Sequence, residues 1–160
     1  MQTQKMISEQ MRNVLIDWLI DVTIHFDLQN TTFHYGISYI DRALSGMEIE
    51  KNKLQLVGVT AMKIADVFNE KSKEYYWQEN ATEYAYITAD EYTAQEVIDM
   101  EKRMITLLGF NLLSPTIHFL YVYNWVLDDP RATIVAEFLA DVCLFDLNFL
   151  KFKPSLLCST

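Results

Sequence analysis

Only 4 glycines and 3 prolines occur in 160 residues, too little turn punctuation for the many tight connections of an all-β fold. Cysteine is scarcer still. Cys143 and Cys158 fit reduced side chains in a core, as expected of a protein kept in a reducing compartment. No stretch reaches the ~18 uncharged apolar residues of a membrane span, and Met1–Gln10 has no apolar signal-peptide core, so an intracellular protein is expected. Positive charge is also short: 13 Lys and Arg against 22 Asp and Glu leave a formal net charge of −9. Sequence-independent nucleic-acid binding rests on cations neutralising phosphates, so no nucleic-acid partner is expected. A basic protein or peptide would suit the charge better.

Signatures of chemistry are missing as well. His25, His34 and His118 show no metal-ligand spacing with one another or with cysteine. There is no Gly-rich phosphate loop, no GxSxG, and neither cysteine sits in a nucleophile motif. The expectation is a chain with no cofactor, no metal and no active site.

What is present is apolar and helical. Hydrophobic residues make up 51% of the chain and aromatics 13%, enough for one well-buried domain, or one plus part of a second. Ser8 is an N-cap candidate for a helix to Phe26. Leu15, Leu19, Val22 and Phe26 share one face of it, Met11, Val14 and Trp18 form a second stripe beside it, and Ile16 and Ile20 lie toward the far side. That apolar surface is far wider than the ~100° a surface helix uses. The helix is therefore central, or it offers part of its surface to a partner.

A second helix is predicted over 31–45, capped by Thr31 or Thr32 and ended by Gly46. A third is predicted over 52–69, with Gly58, Ala61 and Ala65 allowing close approach of a neighbour. Residues 70–86 show neither period clearly and read as a long loop whose Tyr and Trp side chains pack down onto the domain. A short helix at 88–92 precedes a better-marked one. Thr93 with Glu96 forms a capping box, Tyr92 and Val97 a hydrophobic staple, and Gly109 the stop. Ser114-Pro115 and Asp129-Pro130 each read as N-cap plus N1 proline. Lys153-Pro154-Ser155 begins a further helix that the end of the sequence cuts short. The fold class is all-α.

Several runs carry a family resemblance: Met11-Arg12-Asn13-Val14-Leu15-Ile16-Asp17-Trp18-Leu19, Tyr39-Ile40-Asp41-Arg42, Lys53-Leu54-Gln55-Leu56-Val57-Gly58, and Tyr86-Ile87-Thr88 leading to Met100-Glu101. In order and spacing they resemble the cyclin box, most of all that of mitotic A- and B-type cyclins. Ser114-Pro115-Thr116 and Phe149-Leu150-Lys151-Phe152 resemble the opening of the family's second repeat. The resemblance implies one five-helix cyclin-box repeat over 1–112 and a truncated second helical repeat over 113–160. It also implies a non-catalytic subunit, acting in nucleus and cytoplasm, that binds and activates a cyclin-dependent protein kinase in cell-cycle control.

The resemblance assigns residues as well. Ile64, Phe68, Glu101 and Phe110 match the family's kinase-contacting surface; by spacing alone Phe68 and Phe110 read as core aromatics. Met11, Val14, Leu15, Trp18, Asp21 and Gln55 match a patch that docks substrates or inhibitors bearing Arg-x-Leu type motifs; by composition alone that stripe reads as core. Arg12 and Asp41 match a structural ion pair. The chain departs from the family at Val67, where a lysine normally works with the Glu101 equivalent, and over 70–87. Lys63, one turn earlier, or Lys71 is the candidate replacement. The alternative implied by these departures is a cyclin-fold binding module that docks a divergent kinase or other protein without activating it.

Overall fold

The structure, a computed structural model, describes residues 4, 6–70, 77–118 and 130–157. It comprises two compact units, Met1–Leu112 and Leu113–Thr160, and no strand occurs among the described residues.

In the first unit, α1 spans Glu9–His25, α2 Asn30–Gly46, α3 Leu54–Asn69, α4 Trp77–Tyr86 and α5 Ala94–Leu107. α1 and α5 begin on local side-chain caps. The Ser8 hydroxyl accepts the Met11 N–H and so caps α1. A 3-10 turn, Lys51–Lys53, leads into α3. At α5 the capping box forms: Glu96 N–H donates to Thr93 Oγ1 at 3.3 Å while Thr93 N–H donates to Glu96 Oε2 at 3.0 Å. Tyr92 and Val97, the staple candidates, are both buried.

α2 starts differently from expectation. Its N-cap is Gln29, which makes no side-chain cap, and Gly46 is its last helical residue. The cap comes instead from the far end of α3. Glu70 accepts the Gln29 backbone N–H at 2.8 Å and the Thr32 hydroxyl at 2.6 Å, placing a carboxylate against the positive end of the α2 dipole. Thr32 is thus spent on Glu70 and does not serve as the cap.

The stretch read as a loop over 70–86 is helical from Trp77 onward, and residues 71–76, with Tyr75 and Tyr76, lie outside the described residues. α4 packs on α5 and α3. Tyr84 is fully buried, stacks on Phe26 at 4.3 Å and donates to Asp66 Oδ2 at 2.9 Å. The aromatic signal hid the helix because Tyr84 packs inward whereas Tyr86 stays exposed, and no clean apolar stripe results. Residues 87–92 are turns, not the short helix expected, with Ala89 and Asp90 at φ 56° and 59°.

α3 is the centre of the unit and touches α1, α2, α4 and α5. Its residues from Leu56 to Asp66 are all buried. A Cβ on Gly58 would sit 2.7 Å from Leu15 Cδ1, so glycine is what lets α1 lie this close. The wide apolar face of α1 is divided between two uses. Leu15, Ile16, Leu19 and Val22 are buried, Met11 and Trp18 are half-buried, and Val14 is exposed.

In the second unit, residues 113–116 are extended or irregular and helix is present at 117–118, so Pro115 does not open it; residues 119–129 lie outside the described residues. α6 spans Pro130–Cys143 and α7 Pro154–Leu157, with a 3-10 turn Phe149–Lys151 between them. On α6, Ile134, Val135, Phe138, Leu139 and Val142 are exposed at i, i+1, i+4, i+5 and i+8, one helix face. Cys143 is a free, half-buried thiol whose pKa is pushed up by burial and by Asp146. Cys158 lies outside the described residues.

No helix among the described residues is long and apolar enough to cross a membrane. No His, Cys, Asp and Glu group suited to a metal ion occurs among them.

Candidate functional site

The carboxylate on the apolar face of α5 has its partner inside the molecule. Lys63 Nζ donates to Glu101 Oε1 at 2.7 Å, with the two side chains 0% and 3% exposed. Lys63 is the residue one turn before Val67, so the cation that the sequence lacks at 67 enters from one turn back on the same helix. Ile64 is also buried. Of the five residues singled out for this face, Ile64 and Glu101 therefore lie beneath the surface. Val67, Phe68 and Phe110 are exposed, at 46%, 41% and 78%.

These three do not belong to one helix, and α2 joins their supports. The Phe68 ring meets Tyr35 edge-on at 5.6 Å, and Tyr35 lies parallel to Tyr39 at 6.2 Å. The Tyr39 hydroxyl donates to Leu112 O at 2.8 Å, while Arg42 donates to Asn111 O at 2.8 Å and Leu108 O at 3.1 Å. Tyr35, Tyr39 and Arg42 fall at i, i+4 and i+7, one face of α2. One row of side chains thus links the end of α3 to the turn after α5. Burial holds the Tyr39 phenol above its ordinary pKa, so it remains a donor throughout the physiological range.

That turn is a Schellman motif. Phe110 N–H donates to Ile105 O and Gly109 N–H to Thr106 O, with Gly109 at φ 61°. Phe110 itself takes φ 57°, a left-handed conformation that a bulky side chain adopts only at a cost of about 1–3 kcal/mol. The α2 side chains hold the residues around it, and the ring projects into solvent.

A second surface lies on the other face of α1. A groove of about 550 Å³ is lined on the α1 side by Gln10, Met11, Val14, Leu15 and Trp18. Lys51, Leu54 and Gln55 line it from the α3 side. Five of the six predicted patch residues meet here. The sixth, Asp21, is exposed one turn past Trp18 and does not line the groove. Arg12, almost fully buried, forks onto Asp41 through Nε–Oδ1 at 2.6 Å and Nη2–Oδ2 at 2.7 Å. This bidentate pair fastens the groove-bearing helix to α2.

Sequence reasoning missed the Tyr35–Tyr39–Arg42 row and the Glu70 cap. The first had a signal, since three large polar-tipped residues recur at helical spacing. The second had none, because it joins residues 41 positions apart.

A family model, "Cyclin, N-terminal domain", matches residues 1–113. The chain is 36% identical to Cyclin-A2 of Bos taurus over 163 residues, covering 99% of this chain and 37% of that protein. It is also 36% identical to Cyclin-A2 of Homo sapiens (98% and 36% covered) and 34% identical to the Putative cyclin-B3-1 of Arabidopsis thaliana (96% and 38%). It spans little more than a third of the length of these relatives. Among solved structures, a viral cyclin from herpesvirus saimiri superposes with a TM-score of 0.83 at 20% identity, covering 99% of this chain and 69% of that one. That likeness speaks to the fold.

Proposed function

We propose, from the premise that this chain belongs to the cyclin family, that it is a non-catalytic regulatory subunit that binds and activates a cyclin-dependent protein kinase in cell-cycle control, in nucleus and cytoplasm. The observation that carries the reading is the exposed set Val67, Phe68 and Phe110 on supports joined through α2. Exposed aromatics backed by a rigid column suit a surface that another protein must press against. Such a surface would brace the kinase helix whose glutamate must reach its catalytic lysine, and shift the activation segment. The groove on α1 would recruit substrates or inhibitors through Arg-x-Leu type segments, the leucine seated on Val14, Leu15 and Trp18 and the cation near Asp21.

The test is to mix the protein with cyclin-dependent kinases and follow phosphorylation of a histone-type substrate. A complex with raised activity is expected. Failure to bind any of them overturns the reading.

A second reading, docking without activation, is favoured by one observation: exposed Val67 puts an apolar group where the family uses a cation. It predicts a complex with no gain in phosphorylation. Val67→Lys should then raise affinity or activity, and no gain from that variant counts against it.

A further inference from the structure

The groove on α1 has one charged lining residue, Lys51. It is exposed on the 3-10 turn before α3, and its Nζ has no hydrogen-bond or ion-pair partner among the described residues. Its neighbours are committed elsewhere. Lys53 is bonded to Glu96 at 2.8 Å, and Glu50, with Lys53 and Glu96, lines a separate polar cavity. Asp21, a carboxylate on the same face of α1 with no ion-pair partner among the described residues, stands one turn beyond the last α1 lining residue, about 4.5 Å along the axis. Apolar walls, two amides (Gln10 and Gln55), and a free cation in the lining with a free anion past it therefore define a groove with distinct ends.

We infer, resting on the reading of this groove as a peptide-docking site, that Lys51 reads a carboxylate: the occupant is a protein segment with an Asp or Glu beside its apolar anchors, in addition to any cation at Asp21. The argument is charge complementarity at short range. The chain as a whole carries −9 and repels acidic ligands at a distance, but that field is screened beyond about 8–10 Å at ordinary ionic strength. An anion within reach of Lys51 feels the local cation. A single lysine amid apolar walls does not make the broad basic face that a nucleic acid or an anionic membrane requires. A peptide side chain does fit it.

Fluorescence anisotropy tests this with a labelled Arg-x-Leu peptide in which one Glu, or Gln as its neutral twin, is walked along the positions on either side of the leucine. On one side the Glu peptide should bind about two- to fivefold tighter than its twin at low salt. The advantage should fade at about 0.5 M salt. Lys51→Gln should abolish the difference between the twins, and Lys51→Glu should transfer it to a Lys-bearing twin. Equal affinity of Glu and Gln peptides at every position, or a Glu preference that survives Lys51→Gln, overturns the inference and leaves peptide docking intact. If no peptide binds and Trp18→Ala behaves like the unaltered protein, the docking reading falls, and this inference with it.

Discussion

Replacing Lys63 by methionine removes the donor to a buried carboxylate, Glu101, while keeping the length and most of the volume of the side chain. At 2.7 Å and an effective dielectric of about 20, the gross attraction of the pair is about 6 kcal/mol. Desolvation of the two ions offsets most of it. The variant does not recover that desolvation, because Glu101 stays 2% exposed and its Oε2 accepts no hydrogen bond among the described residues. Leaving one ion of such a pair alone costs about 3–5 kcal/mol. For a unit of this size that lowers the melting temperature by roughly 10–30 °C.

The double variant Lys63→Met/Glu101→Leu removes both ions and should return to within about 1–2 kcal/mol of the starting protein. Urea unfolding monitored by circular dichroism measures the parent, Lys63→Met, Glu101→Leu and the double variant. A single variant costing under about 1 kcal/mol, or a double variant as poor as the sum of its parts, refutes the claim that the pair is buried and mutually dependent. The double variant also divides two roles for Glu101. Retained kinase binding means that the residue only braces α3 against α5; lost binding in a stable fold means that it contacts the partner.

Three further outcomes are expected. Phe110→Asn relieves a left-handed backbone at an exposed ring, so thermal unfolding should show a gain of about 0.5–1 kcal/mol while pull-down of the kinase fails; a loss of stability refutes the strain argument. Arg12→Lys cannot reproduce the two-pronged contact with Asp41 and should cost about 2–4 kcal/mol, read from the urea midpoint; a cost within error shows that the fork is dispensable. Glu96 has its carboxyl lowered to about 2 by its bond from Lys53, then by the Thr93 N–H and hydroxyl. A carboxyl lowered by folding stabilises above its unfolded value and loses that contribution as pH falls from about 4.5 toward 2. Unfolding midpoints of Glu96→Gln should accordingly run flatter than those of the parent across that window; parallel curves refute the assignment.

Much of the first unit could be read from the order of residues, because its signals are local. Ser8, the Thr93–Glu96 box and Gly109 act within one turn of themselves, and the stripes on α1 and α3 follow the helical period. The groove was legible only through the family resemblance: by composition alone the stripe of Met11, Val14, Leu15 and Trp18 read as core. The failures are non-local. Whether α2 needs a side-chain cap depends on Glu70 arriving from another helix. That Ile64 and Glu101 lie inside, with Lys63 between them and solvent exposure left to Val67 and Phe68, depends on how α3 is rotated against α5. α4 escaped because Tyr84 serves the core and Tyr86 the surface, which blurs any period.

The hydroxyl and guanidinium that α2 sends to residues 108, 111 and 112 have a consequence for timing. A recognition loop left loose must surrender its freedom when a partner arrives, and that loss is subtracted from affinity. Here the entropy is spent once, when the chain folds, and each later encounter meets the aromatic ring already in position. Association should then be limited by orientation and diffusion, not by waiting for a rare conformer.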